Sequence, residues 1–443
     1  MLNRSGLSRL TLLGMLCFGS ADALAHQADM SILTEWQSLL SPRNEWTLHD
    51  RGDHSTMRMP GKRKNIAALP IDKQRRLQEE IRRHDINLSE LRQAFSRIRA
   101  ALNNGNHFAE PEYRANLSEI VIGIDRESRT KGRLLADHEP ILRALPDYTE
   151  INILTPIGMS VPLRRELKAL GLTHNVRVIV DPAHPDQPST SRWVRDFMLV
   201  GSQPRTHSIT TPLRYQPHPD LRWNDLQHLQ RLRTPDRKII ATPLFYRAGN
   251  LLLGINPKGE RILFLGNDEL RGIVDVYEGA VGFHPPHQSI ARLMAAIVGA
   301  DHFEILPNTQ HLFHIDMAMN FIRDGVAVLL TPLDLERVAP EDQKTLGIIR
   351  QALQRHGFQT IDVPTVSSRI ALYQSPVNVV PFRHRQSGEH MALVPAFPET
   401  PQSNGLNLRV LGSYRAAGVQ PIPVEDRFYP MGGNTHCAVV ALR

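Results

Sequence analysis

The stretch Gly432-Gly433-Asn434-Thr435-His436-Cys437-Ala438-Val439-Val440, near the end of a 443-residue chain, decides how the rest is read. Two glycines free the backbone to turn, a thiol follows, and an apolar run closes it. Three other junctions have the same build, a polar loop running into apolar sequence. Arg192-Trp193-Val194-Arg195-Asp196 precedes Phe197 to Gly201. Tyr246-Arg247-Ala248-Gly249-Asn250 precedes Leu251 to Leu253, and His311-Leu312-Phe313-His314-Ile315-Asp316 leads into Met317 to Ile322.

Outward from these junctions, short β-rich runs recur from about Ser118 onward. They include Glu119 to Gly123, Ile151 to Leu154, Val176 to Val180, Ile262 to Leu265, Val326 to Leu330 and Met391 to Val394. Helical patterns fall between several of them, as at Ile290 to Val298 and Glu341 to Arg355. Strand and helix alternating at this spacing predict an α/β fold. The recurring order of helix, strand, polar loop and strand reads as a weak internal repeat, visible in pattern and not in identity.

Hydrophobic residues at 41% and charged residues at 22% exclude wholesale disorder. The start of the chain reads as an export leader over 1–25. Arg4 and Arg9 form its basic end, Leu10 to Phe18 its apolar stretch, and Ala23-Leu24-Ala25 its cleavage site. Cleavage near Ala25 removes Cys17 and leaves Cys437 as the sole thiol of an exported protein, periplasmic or secreted. Residues 26–115 read as an arm followed by a basic helical hairpin, and 116–443 as the main domain. Between Lys62 and Arg99 stand eleven Lys/Arg against five Asp/Glu, a net +6. In the second helix Leu88, Leu91, Phe95, Ile98 and Leu102 make one apolar stripe, stopped at Asn103-Asn104-Gly105. The basic faces read as solvated or as weak surface docking through 62–99; nucleic acid is not an expected partner.

Asp196, then His314-x-Asp316, then Gly432-Gly433-Asn-x-His-Cys437 together resemble the guanidino-group-modifying (pentein) enzymes, among them agmatine and peptidyl-arginine deiminases. The C-terminal stretch from Tyr373 to Asn378, through Leu393 to Phe397 and Ile422 to Val424, strengthens the resemblance, which covers residues 118–443. It implies a five-bladed pseudo-symmetric α/β propeller with the helical region as an N-terminal accessory. It further implies Cys437 as nucleophile, His314 as general acid and base, and Asp196 and Asp316 as the carboxylates that hold a guanidinium. Asn250 and Trp193 are expected substrate contacts.

The chemistry agrees. A guanidinium is a flat cation whose N–H donors match carboxylates. Its carbon is a poor electrophile and demands a strong nucleophile, and the departing ammonia needs a proton. His314 and Asp316, two apart in what reads as a strand, are expected to point the same way. By the same rule His436 is expected to face away from Cys437 and is left out of the catalytic set. The expected reaction converts a guanidino substrate, peptidyl-arginine or an agmatine-like amine, to a ureido product and ammonia. No cofactor is required, and two His at His311 and His314, or at His284 and His287, make a weak case for a metal. An amidinotransferase and an inactive pentein-like binding protein are the alternatives. The second junction departs from the family form, with Arg247 and Ala248 ahead of Gly249; Arg247 is expected to bind a carboxylate at the substrate's far end or to face away.

Overall fold

A computed structural model describes residues 56–59, 62–65, 88–103, 109–125, 132–172, 175–181, 191–202, 207–212, 229–244, 246–281 and 284–442. The leader at 1–25 and the first helix of the basic hairpin lie outside the described residues. Within the stretch read as an arm, β1 (Thr56–Met59) and β2 (Lys62–Asn65) pair antiparallel as a two-stranded ribbon.

The main body holds five further sheets. Three successive parallel-paired strands, β3 (Glu119–Gly123), β4 (Glu150–Pro156) and β5 (Val176–Asp181), form the first. The next four share one topology: β6 (Leu199–Ser202), β7 (His207–Pro212) and β8 (Arg237–Thr242); β9 (Leu251–Ile255), β10 (Arg261–Gly266) and β11 (His302–Leu306); β12 (Met319–Arg323), β13 (Val326–Pro332) and β14 (Gln359–Thr365); β15 (Val380–Arg383), β16 (His390–Ala396) and β17 (Gln420–Glu425). In each, the leading strand is antiparallel to the second, and the second is parallel to the third. The last strand, β18 (Val439–Ala441), pairs antiparallel with β3 and so supplies a leading strand to the first sheet. The repeat legible in the sequence is this unit.

Parallel neighbours cannot be joined by a tight turn, and among the described residues helices carry the crossovers of every sheet but that of β7 and β8. Those used below are α1 (Leu88–Asn103), which precedes the sheets, α2 (Glu139–Ala144), α3 (Ser160–Ala169), α4 (Asn267–Val281), α5 (His287–Val298), α6 (Pro340–Arg355), α7 (Ser367–Ala371) and α8 (Leu406–Ala416). Helix α5 is the most apolar: Ile290, Leu293, Met294 and Ile297 are fully buried, and Gly299 ends it in the left-handed conformation. The stripe of α1 joins the same core, Phe95, Ile98 and Leu102 packing with Leu244, Tyr246, Leu251 and Leu263.

Local chemistry shifts some expected boundaries. Val194 to Phe197 form a single 3-10 turn, and β6 begins only at Leu199. Ile315 to Met317 form another, so β12 begins at Met319. Each polar junction is therefore a turn placed against the start of a leading strand.

Candidate active site

The turns before β6, β9, β12, β15 and β18 carry Asp196, Asn250, Asp316, Asn378 and Cys437 in that order. The turn at 194–197 packs against those at 248–250 and 436–438, and the turn at 248–250 against that at 315–317. Side chains more than a hundred residues apart thereby share one buried space.

Gly249 marks its centre. A methyl on Gly249 would lie 3.0 Å from His314 Nδ1, 3.0 Å from Asp316 Oδ2 and 3.4 Å from Asp196 Oδ1. His314 Nδ1 and Asp196 Oδ1 are 3.8 Å apart. Cys437 Sγ stands 3.7 Å from Asp316 Oδ2, and Asn378 Nδ2 donates to the sulfur at 3.5 Å. All four expected groups are less than a tenth exposed. Neither ring nitrogen of His314 nor Oδ1 of Asp316 has a hydrogen-bond partner among the described residues. Native folds rarely leave buried polar atoms unmatched, and such atoms mark a place built for something else.

The expectation that His436 faces away is corrected. His436 to Ala438 form a 3-10 turn, where neighbours do not alternate as they do in a strand. The ring is fully buried between two carboxylates, with Nδ1 2.7 Å from Asp316 Oδ2 and Nε2 2.5 Å from Glu112 Oε2. Carboxylates only accept, so both ring nitrogens donate and His436 is an imidazolium. Arg195 pairs with the other oxygen of Glu112. Burial pushes Glu112 upward, but Arg195 and His436 outweigh it and hold its pKa at about 2. Burial likewise pulls His436 down, but the attraction of Glu112 and the hydrogen bonds to Asp316 and Glu112 together outweigh it, with a net rise.

Two titrations in the centre run against charge. Burial carries the Cys437 thiol well above its ordinary value, with Asp316 and Asp196 adding to the rise. Burial carries His314 well below the ordinary imidazole value, helped by Arg247 and His436. Burial thus favours the uncharged form of each, a thiol at Cys437 and a neutral imidazole at His314.

His314 and Asp316 both face the centre, but not as alternate residues of a strand: Asp316 sits in the 315–317 turn and His314 in the extended residue before it. Asn250, expected to touch substrate, braces this turn. Its Oδ1 accepts from Ile315 N at 2.9 Å and Asn308 Nδ2 at 3.0 Å, and its Nδ2 donates to Glu269 at 3.2 Å. Gly266 leaves room for that amide, since a Cβ there would fall 2.1 Å from Asn250 Oδ1. Arg247 is held on Glu269 through its Nε and its backbone N–H, both at 2.8 Å. Trp193 is half-buried, with its ring over Gly433 and edge-on to Phe428. Arg192 bonds Asp125, and His311 bonds Asp342 at 2.9 Å.

The loop that presents the thiol is tied down by Asp426. Its Oδ2 accepts from Thr435 N at 2.7 Å and Thr435 Oγ1 at 2.9 Å, and its Oδ1 from Phe428 N at 2.9 Å. Asn434 Oδ1 accepts from Ser375 N at 3.0 Å, and Asn378 Oδ1 from His436 N at 2.9 Å. Sequence reasoning missed Glu112, Asn378 and His436. Asn378 had a signal, a polar residue entering Val379-Val380; Glu112 had none, since it lies in a short 3-10 turn ahead of β3.

These features define an α/β protein whose repeated turns bring a thiol, an imidazole and two carboxylates together. No family model and no curated protein matches the chain. Solved structures do. The agmatine deiminase of C. jejuni superposes over 75% of this chain and 94% of its own, at 14% identity and a TM-score of 0.52. The agmatine deiminase of Enterococcus faecalis covers 76% and 96%, at 12% identity and 0.54. A structure provisionally named a peptidyl-arginine deiminase covers 76% and 98%, at 13% and 0.55. The chain shares the fold of the guanidino-group-modifying, pentein enzymes.

Proposed function

We propose that this chain is a guanidino-group hydrolase acting through Cys437, His314, Asp196 and Asp316, on five blades arranged as a propeller. The convergence of His314, Asp316 and Asp196 on the space beside Gly249, with Cys437 3.7 Å from Asp316, carries the reading. Charge supports it. Three carboxylates, Asp196, Asp316 and Glu112, share the site, and the printed cation contacts are those of Arg195 with Glu112 and of His436 with Glu112 and Asp316. A guanidinium supplies positive charge and donors for the unmatched oxygen of Asp316.

In the reaction that follows from this arrangement, the bound cation stabilises a developing thiolate. The thiol proton passes to His314 as the sulfur attacks the guanidinium carbon. The tetrahedral adduct breaks a C–N bond, ammonia leaves with the proton from His314, and a thiouronium remains on Cys437. Water, deprotonated by His314, attacks that carbon; the C–S bond breaks and the ureido product departs. Export to the periplasm or medium rests on the leader alone.

The test compares the protein from residue 26 onward with its Cys437→Ala variant, on free arginine, agmatine and arginine-containing peptides. Ureido product and ammonia in equal amounts, absent in the variant, are the expected result. Amidino transfer to an added amine without ammonia would make it a transferase. No product and no labelling of the thiol by a haloacetamidine would overturn the reading.

A further inference from the structure

Glu112 belongs to a segment ahead of the first sheet, yet its carboxylate ties together turns from three parts of the site. One oxygen pairs with Arg195 in the turn at 194–197. The other lies 2.5 Å from His436 Nε2 in the turn at 436–438, and Nδ1 of that ring lies 2.7 Å from Asp316 Oδ2 in the turn at 315–317. Asp316 Oδ2 is also the oxygen 3.7 Å from Cys437 Sγ, while Oδ1 has no hydrogen-bond partner among the described residues. A row of carboxylate, imidazolium and carboxylate therefore runs from Glu112 to the edge of the thiol.

The backbone around Glu112 is held from four sheets. Glu110 N donates to Val200 O of β6 at 2.8 Å, and the buried Tyr113 hydroxyl accepts from Ile255 N of β9 at 3.1 Å. Arg114 donates to Asp324, just past β12, at 2.7 and 3.2 Å, and Ala115 O accepts from Arg383 N of β15 at 2.7 Å. Ile255, Asp324 and Arg383 stand at the opposite ends of their strands from the turns that carry Asn250, Asp316 and Asn378. The segment thus crosses at the far end of these strands, and Glu112 reaches the turns from beneath.

Removing the Glu112 charge changes what His436 can do. A carboxylate on each side keeps a proton on both ring nitrogens. With one side neutral, burial favours a ring with a single proton, and the bond made by one nitrogen decides where that proton sits. If it sits on Nε2, Nδ1 turns a lone pair toward Asp316 Oδ2 and the two repel. If it sits on Nδ1, the bond to Asp316 remains but loses its cationic donor.

We propose that Glu112 is a positioning residue for the reaction: through His436 it fixes Oδ2 of Asp316, so that Oδ1 is presented to the substrate guanidinium beside the thiol. This rests on the hydrolase reading above. Glu112 acts only through the ring. It also lies outside residues 118–443, so the stretch that resembles known enzymes is not the whole catalytic unit, which includes the turn at 112–114.

The experiment follows kcat/KM against pH together with the protonation of His436. The charged and titratable groups facing that ring are Glu112, Asp316, Arg195 and, across the centre, His314, with Asp196 and Cys437 in the turns packed together there. In protein labelled with nitrogen-15 histidine, His436 is identified by the signals lost in His436→Gln. Both its ring nitrogens are expected to carry protons at neutral pH. In Glu112→Gln one proton is expected to be gone at that pH. On the guanidine that the unsubstituted protein turns over best, kcat/KM is expected to fall about 10- to 100-fold there, the scale of a hydrogen bond to a charged group. The loss is expected to shrink as pH is lowered and the ring regains its second proton, which a merely structural defect does not do. Glu112→Asp keeps the charge and is expected to recover most of the rate. Glu110→Gln, which removes a carboxylate of the same segment paired with Arg261, is expected to leave the profile unchanged. A singly protonated His436 in the unsubstituted protein overturns the proposal without any variant. A Glu112→Gln profile lowered equally at every pH overturns it too. A reaction that ignores Glu112 removes this proposal alone; failure of every guanidine to react with the unsubstituted protein removes the hydrolase reading with it.

Discussion

Replacing Gly249 with alanine probes the centre of the site with a single methyl. The residue is not among those held at positive φ, so alanine can adopt its backbone conformation. The new Cβ would stand 3.0 Å from both His314 Nδ1 and Asp316 Oδ2, closer than side chains ordinarily sit, and the neighbours must give by a few tenths of an ångström. Overpacking of this kind costs ~1–3 kcal/mol. The stiffer unfolded chain returns ~0.4–1 kcal/mol. The net loss is at most about 2.6 kcal/mol, which at ~2.1 cal/mol/K per residue lowers Tm by about 3 °C at most in a protein this large. Activity has no such compensation. The methyl fills space that a guanidinium needs and pushes apart groups whose misplacement by an ångström costs ~100-fold. Gly249→Ala should therefore reduce kcat/KM at least about 100-fold while still melting cooperatively. Gly347→Ala is the control: it lies within α6 with nothing inside 4 Å of a new Cβ, and should add about 1 kcal/mol of stability with activity unchanged. If Gly249→Ala turns over at the unsubstituted rate, the space beside Gly249 is not where substrate sits.

Further predictions follow from the surroundings of the thiol. Asp426→Asn converts an oxygen that accepts twice from Thr435 into a donor; it should cost about 1–3 kcal/mol in chemical denaturation and depress kcat more than KM. Gly433→Ala drives a Cβ to 2.5 Å from the Trp193 ring; it should lower Tm, and Trp193→Leu in the same chain should recover part of the loss. The Glu112–His436 pair predicts a stability maximum in mildly acid solution. Glu112, depressed to about 2, contributes fully above its unfolded value of 4.5 and loses that contribution as pH falls toward 2. His436, raised, contributes fully below its unfolded value of 6.5 and loses it as pH climbs through the folded one. Melts of Glu112→Gln should lose the acid-side dependence and show a weaker alkaline decline; unchanged pH curves would sink the clamp.

The strands at Glu119, Ile151, Ile262, Val326 and Met391 were legible because strands buried on both faces are written as continuous apolar runs. Strand β14, Gln359-Thr-Ile-Asp-Val-Pro-Thr, was not: it lies at the edge of its sheet, where polar residues and a proline are tolerated. Cys437, His314, Asp196 and Asp316, which the fold brings together, were legible as candidates because each stands at a junction between polar and apolar sequence. His436 was lost to a rule about strands applied to a turn, and Asn250 was read as a contact because a buried amide and a substrate-facing amide look alike in sequence. Glu112 owes its place to Arg195 and His436, more than eighty residues away, and no local pattern encodes that.

The pairing of β18 with β3 makes the fold its own inspector. Residues from 439 onward zip onto the buried apolar edge of β3, with Leu442 N bonding Glu119 O at 2.8 Å, and that closure is what carries Cys437 into place. A chain whose first sheet is unmade has no edge for β18 to close on and nothing to carry Cys437 into place. A chain clipped after residue 430 loses the thiol and bares the edge of β3 in the same event. If the proposed hydrolase reading holds, activity reports on that closure, and molecules that fail to make it fall silent.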